Sequence, residues 1–172
     1  TTSLYSKKGL KNIFNNNIIT YIYQSSERVC LKNNNPKSKD YLLHIGTFEK
    51  RKDLLTLLKA FKLFKDNTGS NLKLILAGSK YFNGSNEVYK EIKEYISKNN
   101  LLSYVIMPGY INKKQAINYY FNAYMYIFPS IDEGFGIPLI EAMNAQVPVI
   151  CSDIEVFKEI GGDSVIYFEK QN

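Results

Sequence analysis

From residue 41 onward, short apolar runs alternate with amphipathic stretches. Residues 41–46 form a continuous apolar run ending in Gly46 and predict a strand. Asp53 is expected to cap a helix reaching about Asp66, with Leu54, Leu57, Leu58, Phe61 and Phe64 on one face. Residues 72–78 read as the next strand, and 86–99 as a helix with Val88, Ile92, Tyr95 and Ile96 at helical spacing. Strands at 104–107, 125–128, 147–151 and 165–168 follow, separated by helices at 113–122, 138–144 and 155–160. The order is βαβαβαβαβαβ. Continuous apolar strands joined by helices imply a parallel sheet covered on both faces. Right-handed crossovers make it an α/β doubly wound, Rossmann-like layer structure.

The first 40 residues read differently. They hold two Asn triplets, at 15–17 and 33–35, around a strand-forming run at 18–23. The stretch from Lys32 to Lys39, with Pro36 inside it, reads as a linker. This places a boundary between residues 1–38 and a domain over 39–172. The chain begins with Thr1 and not Met, so it is expected to be a piece of something longer.

Composition narrows the class. A chain of 172 residues with 45% hydrophobic and 22% charged residues builds its own core, which excludes disorder throughout. The two cysteines, Cys30 and Cys151, match no metal or redox spacing and suit a reducing compartment. No apolar run reaches the roughly 18 residues of a membrane span. Residues 1–40 carry seven of the 22 Lys/Arg and two of the 16 acids, a balance of +5 that leaves +1 for the rest. A protein that coats nucleic acid is therefore disfavoured. The basic leading segment suits a membrane surface or a neighbouring domain.

In doubly wound folds the ligand sits beyond the carboxyl ends of the strands. The segment Phe128-Pro129-Ser130-Ile131-Asp132-Glu133-Gly134-Phe135-Gly136-Ile137-Pro138-Leu139-Ile140-Glu141 runs from such an end, through a glycine-containing loop, into a helix. Pro138 suits a first helical turn. Backbone N–H groups of Gly136 and Ile137 at a helix start suit a phosphate. Glu141, one turn in, suits the two hydroxyls of a ribose, and Glu133 suits whatever the diphosphate carries. The plain alternative is a helix start with acids favoured by the dipole. Gly46-Thr47-Phe48-Glu49-Lys50-Arg51-Lys52-Asp53 also joins a strand to a helix. Arg51 and Lys52 there could neutralise a departing diphosphate, or form a solvated charge run beside a helix cap. The lone His44, mid-strand, reads as a packed core residue.

These pieces resemble the C-terminal, donor-binding domain of the group 1 (family four) retaining glycosyltransferases, the C-terminal half of a GT-B fold. Besides the two segments above, Leu76-Ala77-Gly78, Pro108-Gly109-Tyr110-Ile111, Val147-Pro148-Val149-Ile150 and Glu159-Ile160-Gly161-Gly162 match in order, over roughly 41–170. The two-glutamate segment is highly specific, and the others are individually weak. The resemblance implies transfer of a hexose from a nucleotide-diphosphate sugar to a glycan or lipid-linked acceptor, with retention. Arg51, Lys52 and Glu133 would be catalytic. Gly46, Thr47, Gly78, Ile111, Gly134, Phe135, Gly136, Ile137 and Glu141 would bind the donor. No metal and no cofactor are implied, because cations do the metal's electrostatic work. Acceptor binding would belong to an N-terminal domain, so the fragment alone is expected to be inactive. The alternative is an isolated or degenerate nucleotide-binding module without transfer activity. A receiver-type domain would want acids after the first strand, where Lys50-Arg51-Lys52 stand.

Three departures from the family pattern matter. Residues 1–38 are expected to be the tail of an otherwise missing N-terminal domain with its linker, and the nucleotide-sugar-binding domain over 39–172 is expected to be incomplete at its C-terminus. Gln146 stands where Gly is usual, at a cost of roughly 1–2 kcal/mol if φ is positive there. Thr47 stands where some members carry Arg. A cytoplasmic location is expected, with peripheral contact at the cytoplasmic face of a membrane. The base, sugar, acceptor and oligomeric state are not encoded legibly. Co-sedimentation with anionic liposomes is expected to weaken when Lys7, Lys8 and Lys11 become Gln. Unchanged co-sedimentation rules the membrane contact out.

Overall fold

A computed structural model describes residues 1–13, 19–26 and 39–171. Cys30 and most of the expected linker lie outside the described residues. The elements are α1 (Leu4–Ile13), β1 (Tyr41–Ile45), α2 (Leu54–Thr68), β2 (Lys73–Ala77), α3 (Glu87–Lys98), β3 (Val105–Gly109) and α4 (Lys113–Asn122). β4 (Met125–Phe128), α5 (Ile137–Asn144), β5 (Val149–Ser152), α6 (Glu155–Gly161) and β6 (Ile166–Phe168) complete the order. The six strands form one parallel sheet in the order β3-β2-β1-β4-β5-β6. The expected α/β doubly wound architecture is the one found.

Period-two alternation along the strands sorts the core into two clusters. Leu74 and Leu76 of β2 join Leu54, Leu57, Leu58 and Phe61 of α2 and Ile92 and Ile96 of α3 on one face. Ile75 and Ala77, with Leu43, Tyr126, Phe128 and Cys151, meet Tyr120, Leu139, Ala142 and Phe157 from α4, α5 and α6 on the other. Burial pushes the Cys151 thiol up to about 12, so it packs as an inert apolar group. Between α2 and the sheet lies an apolar cavity of about 430 Å3, lined by Leu42, Phe61, Met125, Ile127, Ile150 and Phe168 among others. It contains none of the candidate site residues. No helix among the described residues is long and apolar enough to cross a membrane.

Three local expectations need correction or extension. Asp53 occupies the N-cap position of α2 but makes no capping bond to the helix backbone. Its φ of 47° turns the carboxylate sideways, and Oδ1 instead accepts from the Thr56 hydroxyl at 2.9 Å. The strand-forming run at 18–23 shows no strand over its described residues 19–23, because no sheet edge receives it. The helix α1 has no counterpart in the sequence pattern, since it buries no apolar face.

The chain reversal into β5 puts Gln146 at φ 55°. A side chain in the left-handed region is strained, and glycine is not. Gln146→Gly is expected to raise stability by roughly 1 kcal/mol, read as a higher midpoint in chemical denaturation. An unchanged or lowered midpoint would show that the Gln side chain offsets the strain.

Candidate functional site

The strand order reverses between β1 and β4, and a crevice opens beyond their carboxyl ends. Two loops meet there. After β1 the backbone runs past β2 so closely that a Cβ on Gly78 would stand 1.8 Å from the Gly46 carbonyl oxygen. Gly78, at φ 148°, is the residue type that this approach requires. The chain then tightens into a 3-10 turn over Lys50–Lys52. That turn splits its two cations. Lys52 is 5% exposed and points inward, while the Arg51 side chain is 40% exposed. The loop after β4 is tied alongside by the Ile131 N–H, which donates to the Arg51 carbonyl at 2.8 Å.

Glu133 joins the two loops. Its side chain is 8% exposed. Oε1 accepts from the Lys52 ammonium and from the Ser130 hydroxyl, the latter at 2.9 Å. Oε2 pairs with the Arg51 guanidinium at 2.5 Å. Arg51 also reaches Glu49 Oε1 at 2.8 Å and donates to the Asp132 carbonyl at 3.2 Å. Ser152 on β5 donates to the Ser130 carbonyl, which anchors the loop from the third side. Burial lowers the Lys52 pKa, and the Glu133 charge opposes that shift. The ammonium also lies 5.0 Å from the Phe128 ring centroid. Two cations thus face two carboxylates, and the cluster balances its own charge.

Gly136 opens α5 at φ 94°, where a Cβ would stand 3.0 Å from the Phe157 ring. Pro138 sits in the first turn of α5, as expected. Glu141, one turn further, is half-buried, and its Oε2 accepts from the Tyr120 hydroxyl at 3.2 Å. Burial raises the Glu141 pKa, against the hydrogen bond from Tyr120 and the Lys113 charge. Tyr120 stacks edge-on with Tyr126 at 5.2 Å, and burial holds both phenols well above their usual range. The Tyr126 hydroxyl in turn donates to the Ile45 carbonyl at 3.3 Å, at the end of β1.

The structure therefore brings Arg51, Lys52 and Glu133 into direct contact, with Gly46, Thr47 and Gly134 in the same two loops. Gly136, Ile137 and Glu141 lie at the adjoining helix start. Gly78 backs Gly46 from β2. Ile111 follows β3, two strands from β1, and is half-buried against the core. A cleft of about 440 Å3 opens on the Arg51 side, lined by Phe48, Glu49, Lys50, Phe82, Asn83 and Val88 among others. Sequence reasoning missed Ser130, Ser152, Glu49 and Tyr120. Ser130 and Glu49 stood inside the motifs, but no spacing rule marks a hydroxyl that will meet a carboxylate across a turn. Ser152 and Tyr120 come from other elements.

Residues 27–172 match the family model of the glycosyl transferases group 1. The chain belongs to that family. It is 35% identical over 124 residues to O-antigen chain mannosyltransferase B of Escherichia coli, covering 72% of this chain and 31% of that protein. It is 32% identical over 133 residues to the O-antigen chain mannosyltransferase RfbU of Salmonella typhimurium, covering 76% and 35%. The chain thus spans about a third of the length of these relatives. Its fold matches that of a Staphylococcus aureus TarM mutant crystallised with fondaparinux, alpha-GlcNAc-glycerol and UDP, with a TM-score of 0.83 at 19% identity, over 99% of this chain and 33% of that one. It also matches the C-terminal domain of the group 1 glycosyl transferase LpcC from Francisella tularensis, with a TM-score of 0.68 at 20% identity, over 78% and 70%. The fold is that of a C-terminal GT-B domain.

His44 bears on how this site tolerates acid. It is fully buried in β1, its Nδ1 meets the Ile127 carbonyl at 3.0 Å, and its Nε2 has no partner among the described residues. Burial pushes its pKa down to about 3, despite the Ile127 bond, and Lys52 adds to the shift. The unfolded chain takes a proton near pH 6.5 that the folded chain refuses, so stability is full above that pH and declines as pH falls. Between pH 7 and pH 5 the loss from His44 is expected to be about 2 kcal/mol. Denaturant titrations of wild type and His44→Gln at both pH values read it as the difference in slope. Equal slopes would mean that His44 is protonated in the folded chain.

Proposed function

We propose that this chain is the donor-binding half of a retaining hexosyltransferase. It takes a nucleotide-diphosphate sugar as donor, and the whole enzyme passes the hexose to a glycan or lipid-linked acceptor. The observation that carries this reading is the meeting of Arg51, Lys52 and Glu133 at the β1/β4 crevice, directly beside the glycine-opened start of α5. Arg51 and Lys52 bind the diphosphate and stabilise its charge as the glycosidic bond breaks. The amides of Phe135, Gly136 and Ile137 hold the diphosphate and sugar. Glu141 accepts from the ribose hydroxyls, and Glu133 sits beside the donor sugar. The backbone at Ile111 and the turn at Gly46, Thr47 and Gly78 complete the nucleotide site. The mannosyltransferase names of the relatives support a hexose and make mannose the first sugar to test.

On this reading the acceptor oxygen attacks the anomeric carbon on the face from which the diphosphate leaves. The bond to the leaving phosphate oxygen breaks, and the acceptor's proton passes to that oxygen. The cations already in place make a metal unnecessary. The acceptor is held by an N-terminal domain outside these residues, so the chain alone binds donor without turning it over. We place the reaction in the cytoplasm.

Thermal melting with UDP, GDP, ADP and CMP tests the donor site. At a hundredfold excess over Kd, the nucleotide that binds is expected to raise Tm by roughly 5–10 °C. Glu141→Ala is expected to weaken that nucleotide by at least about tenfold, because a carboxylate accepting two hydroxyls is lost. A set of four flat melting curves for wild type would overturn the reading.

A further inference from the structure

The loop that carries Glu133 is gripped from outside by α1. Ser3 and Ser6 both donate their hydroxyl protons to the Gly134 carbonyl oxygen, each at 2.8 Å, and the Thr2 hydroxyl approaches the same oxygen at 3.5 Å. Ser3 is fully buried and serves twice, because its Oγ also accepts the Ser6 N–H at 3.0 Å and so caps α1. The two remaining free amides at the start of α1, those of Leu4 and Tyr5, donate to the two oxygens of Glu159 on α6 at 2.7 and 2.9 Å. The Tyr5 hydroxyl donates to Asp132 at 3.2 Å. One helix N-terminus is thus satisfied wholly by α6 and its own Ser3, and its hydroxyls are spent on the donor loop.

A trans peptide points its C=O and N–H in opposite directions. The Gly134 carbonyl faces α1, so the Phe135 N–H faces away from it, and that N–H makes no hydrogen bond to another described residue. Turning that peptide over changes ψ of Gly134 and φ of Phe135, and the glycine side leaves little steric barrier. We propose that α1 is a latch that fixes the orientation of the Gly134–Phe135 peptide and so presents the Phe135 N–H to the donor's distal phosphate. Ser3, Ser6 and Glu159 are positioning residues, and none of them need touch the donor. The inference rests on the donor-binding reading above and adds the element that holds its loop.

Calorimetric titration of the whole 172-residue chain with UDP, GDP and ADP, and with their monophosphates, tests the latch. Wild type is expected to bind one diphosphate more tightly than the matching monophosphate. The double variant S3A/S6A is expected to lose about tenfold in diphosphate affinity with monophosphate affinity unchanged, since one amide–phosphate hydrogen bond is misdirected. Ser6→Thr keeps the hydroxyl and is expected to keep the wild-type ratio. Ser6→Ala alone leaves Ser3 to cap α1, and carries the test with a several-fold loss if the double variant melts early. Diphosphate affinity unchanged in S3A/S6A, or in Ser6→Ala where that variant carries the test, overturns the latch and leaves the donor site standing. Equal losses for both nucleotides also overturn it, because they mark general damage. A wild type that binds none of these nucleotides overturns the donor reading, and the latch with it.

Discussion

A carboxylate held between two cations organises the carboxyl edge of this sheet. Removing an ion from water costs several kcal/mol, and the cost is recovered only when each of its oxygens is satisfied. Glu133 meets that condition through Lys52 and Ser130 on one oxygen and Arg51 on the other. Each partner belongs to a different piece of the structure or is anchored to one. Lys52 and Arg51 come from the turn after β1, and Ser130 is tied to β5 through Ser152. The pairing therefore sets the distance between two loops that would otherwise border an open crevice. Its charge also opposes the fall that burial imposes on the Lys52 pKa.

The same cluster shows how much of the site could be read from the chain. The residue types were legible, because cations and acids at strand ends before glycine-opened helices announce anion chemistry. Their pairing was not. Arg51 and Lys52 read as free charges awaiting a diphosphate, yet the fold pairs both with Glu133, which lies 81 positions beyond Lys52. Long-range pairs of this kind leave no periodicity. Glu141 shows the same limit, since its partner Tyr120 belongs to a helix whose pattern reports only burial.

The fold divides along similar lines. Strands and crossover helices were legible because each obeys one period and buries one face. The α1 helix obeys neither rule. It buries no apolar residue, it contains Gly9, and its N-terminal amides are met by Glu159, 155 positions on. A short helix of this composition is marginal alone, and tertiary capping supplies what its own sequence lacks. Asp53 is the converse case. Its type promised a cap, but the tight turn that delivers Lys52 inward leaves Asp53 at a φ from which its carboxylate meets the Thr56 hydroxyl and no amide of the helix.

The charge balance at the crevice has a kinetic side. Paired cations cancel at a distance, so the Arg51–Lys52–Glu133–Glu49 cluster projects little field into solvent. Lys7, Lys8 and Lys11 ride on α1, which is docked against the same loop. Under the donor-binding proposal these ammonium groups would act at long range and the paired cations only on contact, so that capture of a polyanion would divide into two stages. Diffusive steering by α1 would fade over a Debye length of about 8 Å at physiological ionic strength, whereas the short-range grip of the crevice would be nearly insensitive to salt.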